Sequence, residues 1–188
     1  DRNGFRTRFD FDTAGHITRM EEFTDGLHAG EPASSVTAYE YNAAGERTRI
    51  VPPRGNATEL TYDATGNVLE VRRKQSGVPK GVPDPSDLVT AFTYESRFHF
   101  PKTATDPRGN ATTFQYDTLQ RRTNMTESDP DGGGPLSAPV TAYVYNGQTM
   151  LSKITDPIGR DTTYGFDSIG RRTSVKDHLN NQTTLAFS

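Results

Sequence analysis

The chain restates one short phrase eight times, and that repetition limits its fold more than any other feature. The phrase is an aromatic or leucine, any residue, an aromatic and then an acid or a small polar residue. It appears as FDFD (9–12), YEYN (39–42), LTYD (60–63), FTYE (92–95), FQYD (114–117), YVYN (143–146), YGFD (164–167) and LAFS (185–188). Successive copies end 30, 21, 32, 22, 29, 21 and 21 residues apart. A recurring interval of this size marks stacked supersecondary units, each burying its apolar face only against its neighbours.

Two turn signals punctuate each short unit. One is acid-x-x-Gly, as in Asp12 with Gly15, Asn42 with Gly45, Asp63 with Gly66 and Asp167 with Gly170. The other lies eleven residues before the end of the next cadence: DRNG (1–4), PPRG (52–55), DPRG (106–109) and DPIG (156–159). Asp or Asn first, Pro second and Gly fourth is the preference of a type I turn, with glycine taking the positive φ of a following bulge. Turns 10 or 11 residues apart leave room for strands of six or seven, so the repeated unit is a β-hairpin. Entering each turn, Thr7/Phe9/Phe11, Thr58/Leu60/Tyr62, Thr112/Phe114/Tyr116 and Thr162/Tyr164/Phe166 alternate with polar residues. Leaving it, Thr18/Met20, Thr48/Ile50, Leu69/Val71, Thr123/Met125 and Thr173/Val175 are expected to share that face. One aromatic-aliphatic face and one polar face describe an antiparallel sheet with a wet side. The fold expected is all-β: a sheet of repeated hairpins, with units of about 21 residues alternating with units of about 30. Asp12, Gly15, Asp63, Gly66, Asp167 and Gly170 would set its turns, with Tyr62, Tyr116 and Phe166 as rungs.

Residues 1–188 read as a single repeat array. The longer units carry Gly-, Pro-, Ser- and acid-rich insertions near 21–35, 74–87 and 127–139, after which the rhythm resumes in phase, as longer hairpin tips would allow. Copy four is degenerate: ESRFHFPKTA (95–104) lacks the turn glycine, and a bend or sheet irregularity is expected there.

Composition supports the same reading. Hydrophobic residues make up only 31% of the chain and mean hydropathy is −0.76, too little for a thick central core, while 26 threonines suit a half-buried pleated surface. A net charge of −3 gives no basic field for nucleic acid, and no apolar run approaches the roughly 20 residues that span a bilayer. Without cysteine there is no disulfide or thiolate-metal framework. His16, His28, His99 and His178 show no metal-ligand spacing, and DPDGGG (129–134) lacks the further oxygen ligands of a calcium loop. The basic pairs Arg121-Arg122 and Arg171-Arg172, and the run Arg72-Arg73-Lys74, read as solvated faces with cross-strand ion pairs. No catalytic, cofactor-binding or metal-binding residue is expected.

The cadence Y-D-x-x-G-R, present as YDATGNVLEV, YDTLQRRTNM and FDSIGRRTSV and joined by DPRGN or DPIGR, resembles the YD repeats of Rhs proteins over essentially the whole chain. In that family long arrays coil into a spiralling β-sheet that closes as a hollow shell. Bacterial members resemble cocoons around a C-terminal toxic polypeptide, and the shells of Tc toxin complexes and the teneurins are related. The resemblance implies a fragment of a shell wall, secreted or at the cell surface, without enzymatic activity. Its partners would be the rest of the shell and the enclosed toxin segment of its parent chain. About 16 strands at ~4.8 Å make a ribbon of about 75 Å, too little for a generous closed chamber. Family members that release their cargo do so with aspartates in a D-P-x-G-L motif. Here Asp106 and Asp156 lack the leucine and fall in phase with ordinary turns. Carbohydrate binding through exposed Tyr and Phe rows is the alternative reading, and self-association through exposed sheet edges is a further expectation.

Overall fold

Alternation of threonine, tyrosine and phenylalanine with charged residues gives a chain that is all-β and antiparallel, with no helix among the described residues. The computed structural model describes residues 6–23, 34–75, 77 and 79–187. Two compact units are formed, residues 1–92 and 93–188. The first holds β1 (Thr7–Phe11), β2 (Ile17–Phe23), β3 (Ser34–Tyr41), β4 (Arg47–Val51), β5 (Thr58–Tyr62), β6 (Val68–Arg73) and most of β7 (Leu88–Tyr94). The second holds β8 (Pro101–Thr105), β9 (Ala111–Tyr116), β10 (Arg122–Thr126), β11 (Val140–Tyr145), β12 (Leu151–Thr155), β13 (Asp161–Phe166), β14 (Arg172–Lys176) and β15 (Gln182–Thr184). Within each unit every strand pairs with the next in sequence, so each connection is a hairpin. The DRNG turn (1–4) and most of the 21–35 insertion lie outside the described residues. The last cadence, at 185–188, adds no strand of its own among them.

Register assigns the two faces, because directly opposed residues in an antiparallel pair point the same way. Phe9 faces Met20 and Phe11 faces Ile17; Tyr39 faces Ile50 and Tyr41 faces Arg47. Phe114 faces Met125 and Tyr116 faces Arg122, while Tyr164 faces Val175 and Phe166 faces Arg172. Entering strands thus keep the expected face. Leaving strands keep it at Met20, Ile50, Val71, Met125 and Val175 but not nearer the turn: a one-residue register shift in these six hairpins leaves Thr18, Thr48, Leu69, Thr123, Ser152 or Thr173 as an unpaired bulge. The partner of the last aromatic is therefore Ile17, Arg47, Val68, Arg122, Leu151 or Arg172. Simple alternation counted back from Met20 or Ile50 misses it, because the extra residue reverses the phase. Two bulge hydroxyls are tied down, Thr18 donating to the Asp10 carbonyl at 3.3 Å and Ser152 to that of Val144 at 3.1 Å.

The sheet has one layer in each unit, and burial is correspondingly shallow. Among the described residues only Ala57 and Lys74 are fully enclosed, at 2% and 3% exposure, while Phe9 and Phe11 remain 44% and 60% exposed. Cohesion comes from neighbour contacts, each cross-strand pair contributing about 0.2–1 kcal/mol. Tyrosine adds a specific link between hairpins. The Tyr41 hydroxyl donates to the Ile17 carbonyl at 2.9 Å, Tyr62 to Arg47 at 2.7 Å, Tyr116 to Pro101 at 2.9 Å and Tyr145 to Arg122 at 2.9 Å. Each bond reaches the residue at which the preceding hairpin leaves its turn.

The 74–87 insertion lies back on the polar face rather than standing clear of it. The Lys74 ammonium is enclosed, donating to the Val82 carbonyl at 2.5 Å and pairing with the buried Asp87 at 3.2 Å, and Asp87 also accepts from Arg72 at 3.0 Å. Lys80 reaches Glu40, and the Gly81 amide donates to Glu59 at 3.2 Å. Arg72 and Lys74 are thus part of a partly buried network, not a solvated basic run.

In the degenerate copy the irregularity is a turn one residue longer. Glu95 N–H donates to the Phe100 carbonyl at 2.9 Å, five residues on instead of four. The longer glutamate side chain spans that loop by accepting from the amides of Arg97, Phe98 and Phe100. His99 takes φ 59° within it.

Two substitutions test the turn assignment from opposite sides. Thr149 occupies the positive-φ slot at 69°, where a β-branched residue is strained by about 1 kcal/mol. Thr149→Gly should raise the melting temperature by about 2–4 °C. Gly66 sits at φ 88°, and an added Cβ would meet Glu46 Oε1 at 2.9 Å. Gly66→Val should lower the midpoint more than substitution of any histidine. Tyr145→Phe keeps the ring but deletes one interhairpin bond, and urea titration should show a loss of about 1 kcal/mol.

Candidate functional site

The repeated element with the densest polar chemistry is the cadence-ending acid and its turn. At Asp12, Asn42, Asp63, Asp117, Asn146 and Asp167 the backbone closes in the same way. The residue's N–H donates to the carbonyl four residues on, and the amide three residues on donates back. The DPxG turns at Asp106 and Asp156 close identically, and so does Asp177 in DHLN (177–180), which carries no glycine. Two signals that look different in sequence are one structure. Its fourth position always has positive φ, filled by Gly15, Gly45, Gly66, Gly109, Gly159 or Gly170, and elsewhere by Gln120, Thr149 or Asn180. Reading acid-x-x-Gly alone passes over these last three.

The side chain at the first position holds the turn from inside. Asp167 Oδ1 accepts the amides of Ile169 at 3.1 Å and Arg171 at 2.8 Å; Asp63 Oδ1 accepts those of Thr65 at 2.8 Å and Asn67 at 3.0 Å. Asp106 and Asp156 do the same, so both carboxylates of the D-P-x-G sequences are engaged in turn closure. Oδ2 then takes a donor from the side chain four residues on. That donor is His16 Nδ1 at 3.0 Å, Asn67 at 2.8 Å, Asn110 at 2.9 Å, Arg121 at 2.8 Å, Arg160 at 2.9 Å, Arg171 at 2.7 Å or Asn181 at 2.8 Å. Where the first residue is Asn42 the polarity reverses, and its amide donates to Glu46 at 2.7 Å. This complementarity is legible in sequence as an acid followed four places later by a donor.

The same fourth-place donor reaches the next copy. His16 stacks on Tyr41 with centroids 4.7 Å apart and planes at 21°, so this histidine occupies a repeat position and is no stray surface group. The Arg121 guanidinium lies 4.5 Å over Tyr145, and that of Arg171 lies 4.5 Å over Phe187. One side chain thus ties a turn to itself and to the following hairpin.

Charge follows from these bonds. Donors hold the turn carboxyls below the usual aspartate range: chiefly the His16 amide for Asp12, the side chains of Asn67, Asn110 and Asn181 for Asp63, Asp106 and Asp177, those of Arg121 and Arg171 for Asp117 and Asp167, and the Arg160 amide for Asp156. Burial pushes the Tyr62 and Tyr145 phenols up, which keeps the proton that each donates between hairpins. Carboxylates fixed in the ionised state act as permanent acceptors. No group of three or more His, Cys, Asp or Glu converges to hold a metal among the described residues.

Lowered carboxyl values stabilise the fold above the unfolded-chain value of about 3.9, and that stabilisation is lost as pH falls through the lower folded values. The thermal midpoint should therefore stay flat from pH 7 to about 5 and drop below about 4. Asp106→Asn, which keeps the Oδ1 acceptor without the charge, should give a shallower acid-side slope in the same scan.

The RHS repeat family model matches residues 41–77, 97–133 and 140–183, more than half of the chain. No curated protein matches the sequence. Among solved structures, TcdB2–TccC3 aligns at 17% identity with a TM-score of 0.69, over 90% of this chain and 9% of that one. The TcdB2–TccC3–Cdc42 structure aligns at 16% identity and TM-score 0.69 with the same coverage. The Photorhabdus luminescens Tc holotoxin pore aligns at 16% identity and TM-score 0.66, over 92% of this chain and 9% of that chain. At these identities the likeness is one of fold, and this chain spans about a tenth of those chains. Sequence match, hairpin array and fold agree: the chain belongs to the RHS repeat family.

Proposed function

We propose that this chain is a non-enzymatic wall segment of an RHS β-shell that encloses or presents a toxin polypeptide carried by its parent protein. The observation that supports this most is the sequential seam. Tyr41, Tyr62, Tyr116 and Tyr145 each donate to the turn exit of the hairpin before, so hairpins add one after another and none is complete alone. Residues 1–188 act as one array on this reading, and the parent is secreted or displayed at the cell surface. The turn carboxylates are structural groups, because each is already saturated with donors. Edge strands β1 and β15 each have a single partner, so an isolated segment is expected to self-associate. A second reading, an adhesive module that binds carbohydrate, draws support from the exposure of Phe9, Phe11 and Phe187 at 44%, 60% and 47%.

The full-length parent separates the two. Electron microscopy should show a hollow particle, and its C-terminal segment should resist trypsin until the wall is opened. A C-terminal segment digested equally fast in the intact protein would overturn enclosure. Saturable sugar binding by the purified chain, abolished by Tyr143→Ala or Tyr164→Ala, would favour adhesion instead.

A further inference from the structure

Three arginines occupy the same repeat position, opposite the last aromatic of a cadence and on the aromatic face: Arg47, Arg122 and Arg172. Each lies over rings. Arg47 is 5.0 Å from the Tyr39 centroid, Arg122 is 4.8 Å from Phe114 and 6.0 Å from Tyr143, and Arg172 is 5.7 Å from Tyr164. All three are exposed. None of the three guanidinium groups has a carboxylate or hydrogen-bonded partner among the described residues, whereas the polar-face arginines Arg8, Arg19, Arg49 and Arg72 are ion-paired, and so are Arg121, Arg160 and Arg171 in the turns. A guanidinium stacked on a ring keeps its N–H edge free for a bidentate carboxylate.

In the second unit register places Arg122 and Arg172 on the aromatic face, and no strand residue there is acidic. Two grooves meet on it at Leu151. One is lined by Phe100, Tyr116, Arg122, Tyr143 and Tyr145, the other by Tyr164, Phe166 and Arg172. Arg122 on β10 and Arg172 on β14 are four strands apart, about 19 Å. Six residues of extended chain cover about 20 Å. Between the two cations the surface is apolar: Leu151, Ile154 and the tyrosine rings.

We propose that this face of residues 93–188 binds an extended acidic polypeptide running across the strands, with carboxylates about six residues apart on Arg122 and Arg172 and an apolar side chain between them over Leu151. Charge complementarity selects the occupant. Sparse cations separated by aliphatic surface suit a polypeptide with widely spaced acids. A single-stranded nucleic acid carries a phosphate at every nucleotide and would leave most of them uncompensated. The inference rests on the face assignment and the unpaired arginines, and is independent of whether the parent shell closes.

The probe is a fluorescein-labelled peptide of nine residues, with glutamates at the second and eighth positions, a central leucine and serines elsewhere, titrated with the full chain by fluorescence anisotropy. Arg122→Ala and Arg172→Ala should each weaken binding about five- to tenfold, and added salt should weaken it further. Arg122→Lys should also weaken it, because lysine lacks the planar fork. Arg108→Ala, in a turn at the opposite edge, should leave affinity unchanged, and melting temperatures near the parent's confirm that each variant is folded. Equal binding of the glutamine-for-glutamate peptide would overturn the proposal. So would an equal loss in Arg108→Ala, or tighter binding of an oligothymidine than of the peptide.

Discussion

A single carboxylate, accepting two backbone amides and one side-chain donor inside a five-residue turn, is the constraint on which the rest of the structure depends. Asp12, Asp63, Asp117 and Asp167 fix where each strand reverses, and the positive φ three residues later fixes how. With the reversal set, the bulge that follows rotates the leaving strand by one position. That rotation brings Ile17, Arg47, Val68, Arg122, Leu151 or Arg172 opposite the cadence aromatic. The aromatic face is therefore a consequence of turn chemistry as much as of hydrophobic patterning.

A single-layer sheet cannot rely on a deep core, and the molecule substitutes lateral bonds for depth. Tyrosine hydroxyls reach back one hairpin, while His16, Arg121 and Arg171 reach forward one. Within each unit neighbouring hairpins hold one another, which makes the unit a chain of nearest-neighbour contacts. Phe11 and Phe166 stand at the tyrosine position without a hydroxyl, so neither adds such a bond to the strand pairing of its hairpin. Stability distributed this way tolerates degenerate copies: at 95–104 a glutamate replaces the aspartate and the loop grows by one residue, yet the next strand resumes in register.

The 74–87 insertion shows the opposite economy. Instead of extending the array it encloses Lys74 and Asp87 against the polar face, and there Arg72 and Glu59 are half-buried while the Lys80–Glu40 pair stays exposed. That arrangement is long-range and depends on which residues of a Gly- and Pro-rich loop happen to fold back.

The sequence by itself determined the all-β class, the hairpin period, the turn positions and the face of the entering strands. All of these are local, set by φ preferences, side-chain capping within four residues and two-residue alternation. Only the tertiary structure decided which leaving-strand residue stands opposite the last aromatic, because a bulge is one unpaired residue whose presence depends on the partner strand. It also decided that Arg47, Arg122 and Arg172 lie on rings while Arg72 and Lys74 join a buried network. Charge alone gives an arginine no address; its partners do, and they are brought together by pairing between strands rather than by spacing along the chain.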